Sequence, residues 1–242
     1  MSIYITKETV SRLLKDVRHI IKNPLTENGI YYVHDDDDLM KGYALIIGPS
    51  DTPYFGGNYF FEFNYPSDYP HSPPKVKYMT NGNNIRFNPN LYTCGKVCIS
   101  LLNTWRGDQW TSCQSISTVL LTLCTLLCKN TLLNEPGINK NNEDLKPYEE
   151  IIEYSNLNIA ICDVIQKKQG VFLPFFEKFY PHIKEKFLKN YDKLIEISER
   201  KNVEYNMEST NVRTQIYNMN VVVNYNKVIE KLKESKLISE IM

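Results

Sequence analysis

Chemistry concentrates in one stretch of this chain, Arg86-Phe-Asn-Pro-Asn-Leu-Tyr-Thr-Cys-Gly-Lys-Val-Cys98-Ile-Ser-Leu-Leu-Asn-Thr-Trp105. Cys98 follows a glycine-containing turn, and the carboxamides of Asn88 and Asn90 stand a short loop away. A thiolate and an amide donor are the tools of acyl transfer: one attacks a carbonyl, the other steadies the oxyanion. No histidine neighbours Cys98 in sequence to act as the base of a papain-like hydrolase, although His19, His34, His71 or His182 could fold in from afar. An unassisted thiol, with a pKa of about 8.5, is only a few per cent ionised at neutral pH. That fraction serves attack on an already activated thioester and serves poorly the hydrolysis of a stable amide.

The remaining cysteines are Cys94, Cys113, Cys124, Cys128 and Cys162. Cys94/Cys98 and Cys124/Cys128 are spaced i, i+4, wider than the usual zinc knuckle, and no histidine accompanies them, so no metal is expected. The four aspartates from Asp35 to Asp38 lack the glycine and distal glutamate of a calcium loop. Lys+Arg and Asp+Glu both total 28, a formal net charge of +0, which argues against a nucleic-acid partner. No apolar run reaches the roughly 20 residues needed to span a bilayer. The first residues carry no basic flank followed by an apolar stretch. The expectation is a soluble protein of a reducing compartment, cytoplasmic or nuclear, with free thiols.

The elements that must position Cys98 follow from periodicity. Val10, Leu13, Leu14, Val17, Ile20 and Ile21 recur at helical spacing, predicting a helix that opens near Thr6. Alternating segments at 30–34, 42–47 and 58–65, with Tyr59, Phe61, Phe63 and Tyr65 on one face, predict half-buried antiparallel strands. A short fourth strand is predicted at 75–79, after a proline-rich loop over 66–74. An irregular stretch then leads to Trp110, and helices return at about 112–129 and 146–167. The fold class is α+β. Residues 1–167 read as a catalytic core and 168–242 as a helical C-terminal extension packed on it. Phe172, Phe175, Phe176 and Phe179 form the apolar stripe of that extension, a polar stretch covers 202–213, and a last helix is predicted over 221–237.

An ordered set of motifs resembles the ubiquitin-conjugating enzymes: Gly48-Pro49, Thr52-Pro53-Tyr54-Phe55-Gly56-Gly57, Tyr65-Pro66, Tyr69-Pro70, Pro73-Pro74-Lys75-Val76, Asn88-Pro89-Asn90, Gly95-Lys96-Val97-Cys98 and Trp110. Cys98 stands eight residues after Asn90, the family's interval between motif asparagine and active-site cysteine. The resemblance implies that Cys98 carries the ubiquitin C-terminus as a thioester and that Asn90 supports the oxyanion, the adjoining loop, or both. Asn134-Glu135-Pro136-Gly137 falls where the family has an acidic gate, and Glu135 is the ionisable member, suited to orient an incoming lysine. Asn88 and Pro89 complete the active-site loop.

Four departures accompany the match. Asn88 replaces the family's histidine, and the loop after Cys98 is lengthened by residues 103–108. His71 stands where many members place a phenylalanine, and Ser112-Cys113 replaces a proline-alanine pair. With Asn-Thr-Trp, Asn-Glu-Pro-Gly, Ile161-Cys162-Asp163 and the run from Phe187 to Tyr191, they look like the Z-type subgroup, which has a helical C-terminal extension. The resemblance implies ubiquitin or a ubiquitin-like modifier, an activating enzyme and a ubiquitin ligase as partners, with contacts at Arg12, Lys15, His71, Trp110 and Ser112. It implies no bound cofactor, ATP entering only through the activating enzyme. The alternative from another class is a non-catalytic adaptor of the same fold that binds ubiquitin or a ligase without a thioester.

Overall fold

The computed structural model describes residues 5–80, 82 and 85–241. Positions 1–4, part of the stretch read for a leader, lie outside the described residues.

Helix α1, Lys7–Lys22, starts where Thr6 accepts a hydrogen bond from the Thr9 amide at 3.1 Å and stops just before Pro24. Leu13, Val17 and Ile20 are buried, whereas Ile21, counted in the periodic stripe, faces solvent. Strands β1 (Ile30–His34), β2 (Lys41–Ile47), β3 (Asn58–Asn64) and β4 (Lys75–Tyr78) form an antiparallel meander in sequence order. Helix α2 is Ile116–Leu126, and helix α3, Leu145–Ser155, runs on into a π-helical stretch at Asn156–Asp163. Asn156 bonds Tyr59 and the Phe55 carbonyl, and a Cβ on Gly57 would lie 1.8 Å from its Oδ1. Only glycine permits that approach.

The sheet departs from the half-buried expectation. Tyr59 packs edge-on to Phe87 on one face, while Phe60, on the other, stacks on Phe176 with ring centroids 3.6 Å apart. Tyr43 stacks likewise on Phe175, and Tyr31 on His182. Both faces are therefore covered, the second by the aromatic stripe that follows Gly170. Burying such a stripe removes apolar surface from water, and this is what draws it onto the strands.

After a 3-10 turn at Pro174–Phe179 come helix α4 (Tyr180–Glu204), strands β5 (Thr210–Arg213) and β6 (Asn220–Val223), and helix α5 (Tyr225–Ile241). The hairpin corrects the reading of a polar stretch over 202–213 followed by a helix from 221: Val221 begins no helix but pairs with Val212. Three consecutive β-branched valines favour a strand over a helical start. Lys231 on α5 reaches Asp163 and the Asn158 carbonyl, and Lys201 on α4 reaches Glu153 at 2.8 Å.

Candidate active site

Asn88 is fully buried and organises the asparagine turn. Its Oδ1 accepts from the Asn90 amide at 2.8 Å, and its Nδ2 donates to the carbonyl of Leu126, the last residue of α2, at 2.8 Å. Asn90 and Cys98 are then tied twice. The Asn90 Nδ2 donates to the Cys98 carbonyl at 2.7 Å, and the Cys98 amide donates to the Asn90 carbonyl at 2.8 Å. A carboxamide nitrogen carries two hydrogens, so the first bond leaves one for another acceptor.

The cysteine itself is 3% exposed, and its Sγ donates to the Thr104 carbonyl at 3.0 Å. Thr104 belongs to the lengthened loop and is locked there: its hydroxyl lies 2.9 Å from the Val97 carbonyl and accepts from the Ile99 amide at 2.9 Å. Asn103, with φ of 57°, turns the loop, and its Oδ1 accepts from the Trp110 amide. Thr104 and Trp105, the latter 46% exposed, line a cleft of about 720 Å³ with Asn103, Arg106 and Pro136.

Pro136 follows Glu135, and Glu135 is held from outside the core. The Tyr217 hydroxyl, on the turn between β5 and β6, donates to Glu135 Oε2 at 2.5 Å. Burial first, and then this bond to the Glu135 carboxylate, pushes the Tyr217 hydroxyl well above its ordinary pKa, so it remains a donor at neutral pH. The turn is clamped by Asp144, whose carboxylate accepts from the amides of Gln215 and Ile216 at 3.0 and 2.7 Å. Asn134 is exposed, its Nδ2 3.9 Å from Cys128 Sγ. Arg86 joins the two regions: its guanidinium lies 3.4 Å from the Tyr92 ring centre and 4.7 Å from that of Tyr217. It also donates to the Asn88 and Pro89 carbonyls at 3.1 and 2.6 Å.

A deep cysteine tied to an Asn-Pro-Asn turn, on a four-stranded meander, is the geometry against which relatives can be compared. The family profile described as "Ubiquitin-conjugating enzyme" matches residues 12–155. The chain belongs to the ubiquitin-conjugating enzyme family. It is 43% identical over 184 residues to "Ubiquitin-conjugating enzyme E2 Z" of Homo sapiens, covering 75% of this chain and 50% of that protein. The Danio rerio protein of the same name is 41% identical over 190 residues, 77% of this chain and 56% of its own length. The "Dual E2 ubiquitin-conjugating enzyme/E3 ubiquitin-protein ligase BIRC6" of Homo sapiens is 35% identical over 172 residues, 65% of this chain and 4% of its own. The chain thus spans about half the length of the Z-type relatives it matches.

Within this conjugating-enzyme fold the residues read as partner contacts lie apart from Cys98 in sequence and differ in environment. Arg12 is an internal brace, donating to the Ser112 and Gln114 carbonyls at 2.6 Å each and to Asp16 at 2.9 Å. Lys15, His71 and Ser112 are exposed. Trp110 is buried, its Nε1 donating to the Pro70 carbonyl at 2.7 Å. Of the four histidines a hydrolase would need, three are engaged elsewhere: His34 with Tyr32 and the Leu39 carbonyl, His182 on Tyr31, His19 beside Asn23, while the fourth, His71, is exposed. All six cysteines are free thiols. Among the described residues no helix is long and apolar enough to cross a membrane.

Sequence reasoning quoted Arg86 and Thr104 without giving them a task, and passed over Asp144 and Tyr217. A hairpin signal was present, since β-branched residues at 221–223 follow an asparagine-containing turn. Nothing in the spacing pointed that turn at Glu135.

Proposed function

We propose that this chain accepts the C-terminus of ubiquitin, or of a ubiquitin-like modifier, on Cys98 and passes it to a substrate lysine or a ligase cysteine. The observation that carries this reading is the double tie between Asn90 and Cys98, which holds a thiol and a carboxamide donor in one rigid loop. In the first step the Cys98 thiolate attacks the modifier's thioester carbonyl. A new C–S bond forms and the activating enzyme's thiolate leaves. In the second, an amine attacks the Cys98 thioester, the C–S bond breaks, and the Cys98 thiolate leaves. Asn90 has one N–H for the oxyanion, and Glu135 orients the ammonium and takes its proton. Because Thr104 covers the sulfur, loading requires the 103–108 loop to move aside.

No resident cofactor enters these steps, and ATP is consumed only by the activating enzyme. A soluble protein of the cytoplasm or nucleus fits this chemistry, since free thiols persist where glutathione keeps them reduced. The test is single-turnover charging with ubiquitin, ATP and an activating enzyme, run in parallel with each of the two ubiquitin-activating enzymes. Wild type should form a one-ubiquitin adduct cleaved by thiol, Cys98→Ala none, and Cys98→Ser one that resists reductant. A folded wild type that forms no adduct with either would favour a non-catalytic adaptor or another modifier.

A further inference from the structure

The turn between β5 and β6 reaches the candidate site through one side chain. Tyr217 has φ of 60°, in the left-handed region, although it is neither glycine nor asparagine. A bulky residue stays there only when its surroundings hold it. Three contacts do so: Asp144 clamps the two preceding amides, the Tyr148 ring meets the Tyr217 ring edge-on at 6.1 Å, and the Arg86 guanidinium lies over it. What this held conformation delivers is a hydroxyl aimed at the Glu135 carboxylate. Glu135 otherwise sits in a loop between the 3-10 turn at Thr131–Asn134 and α3, where a side chain with three rotatable bonds has many orientations. Its neighbour Pro136 shares the cleft with Thr104, whose carbonyl accepts from Cys98 Sγ.

We infer that Tyr217 is a positioning residue for aminolysis: its hydroxyl fixes the carboxylate of Glu135, which directly precedes the cleft-lining Pro136, making the C-terminal hairpin part of the acceptor side of the site. The assignment rests on the reading of Glu135 as the group that receives the incoming amine. One Glu135 oxygen is held by Tyr217, and the other is left to the ammonium. No bond to Tyr217 forms or breaks in the reaction; its proton stays in place throughout.

The experiment compares the full-length chain with Tyr217→Phe, Glu135→Gln and the double variant, each charged with ubiquitin and chased with free lysine or hydroxylamine. Lysine must lose a proton before it attacks, whereas hydroxylamine is already unprotonated at neutral pH. Tyr217→Phe keeps the ring on Arg86 and Tyr148 and removes only the hydroxyl. The expected result is unchanged charging, lysine discharge about tenfold slower, unchanged hydroxylamine discharge, and a double variant no slower than Glu135→Gln alone. Equal slowing of both acceptors would overturn the assignment, because it marks a structural effect. So would wild-type lysine discharge in Tyr217→Phe while Glu135→Gln is slow, an outcome that leaves the role of Glu135 standing. A Glu135→Gln variant that discharges to lysine at full rate would remove that role and the Tyr217 assignment with it.

Discussion

Asn90 and Glu135 flank the same proposed reaction but are held by different parts of the chain. Asn90 is fixed by its own loop and by the core beneath it: Asn88 anchors to the end of α2, and two hydrogen bonds of opposite direction join Asn90 to Cys98. Glu135 is fixed from without, by a tyrosine more than eighty residues later on a two-stranded hairpin. A thiol and its oxyanion donor must be rigid in every turnover, so buried, reciprocal bonds suit them. An acceptor-side acid must meet diverse amines, and a surface element can be altered without disturbing the nucleophile. Under the proposed function, the contrast assigns the nucleophile and the acceptor side to separate pieces of the chain.

The largest expected effect comes from uncovering the second face of the four-stranded sheet. Phe176→Ala removes the ring stacked on Phe60, and burial losses of this kind cost about 3–5 kcal/mol. Urea unfolding should show that loss, and a smaller one would mean that the sheet face recovers cover from its neighbours. Next is Asn90→Ala, expected to slow discharge by about 10²–10³, as removal of an oxyanion donor does. Because the same amide holds the Cys98 carbonyl, and charging also passes through an oxyanion, charging should slow as well; a defect confined to discharge would show that charging uses neither contact. Arg86→Ala, expected to cost about 2 kcal/mol, tests whether the two regions are separable, since Arg86 touches both. It should impair charging and discharge together, and an effect on discharge only would show that its contacts to Asn88 and Pro89 are dispensable.

Much of the core was legible because each element there carries a local signal. Thr6 caps its own helix, alternation marks the strands, and proline and glycine mark the loops between them. The asparagine–cysteine interval was legible for the same reason: both residues lie in one loop. The cover over Cys98 was not, because a carbonyl from Thr104 is a backbone group with no residue-type signature. The extension was expected to pack on the core, but not that its aromatic stripe would cover the second face of the sheet. The aromatic stripe from Phe172 to Phe179 needed a surface and Phe60 needed a cover, but periodicity within a segment cannot name a partner segment. Tyr217 was least legible, since its task depends on a positive φ and on three contacts from distant parts of the chain.

The central claim, that the extension holds the acceptor side while the core holds the nucleophile, is tested most directly by loosening the hairpin at Asp144. Asp144→Ala removes the acceptor of the Gln215 and Ile216 amides and touches neither Asn90 nor Cys98. Charging and lysine discharge would be timed in single turnover on the same preparation. The account predicts charging at the wild-type rate and lysine discharge slowed several-fold. Equal slowing of the two steps, or discharge at the wild-type rate, would contradict it.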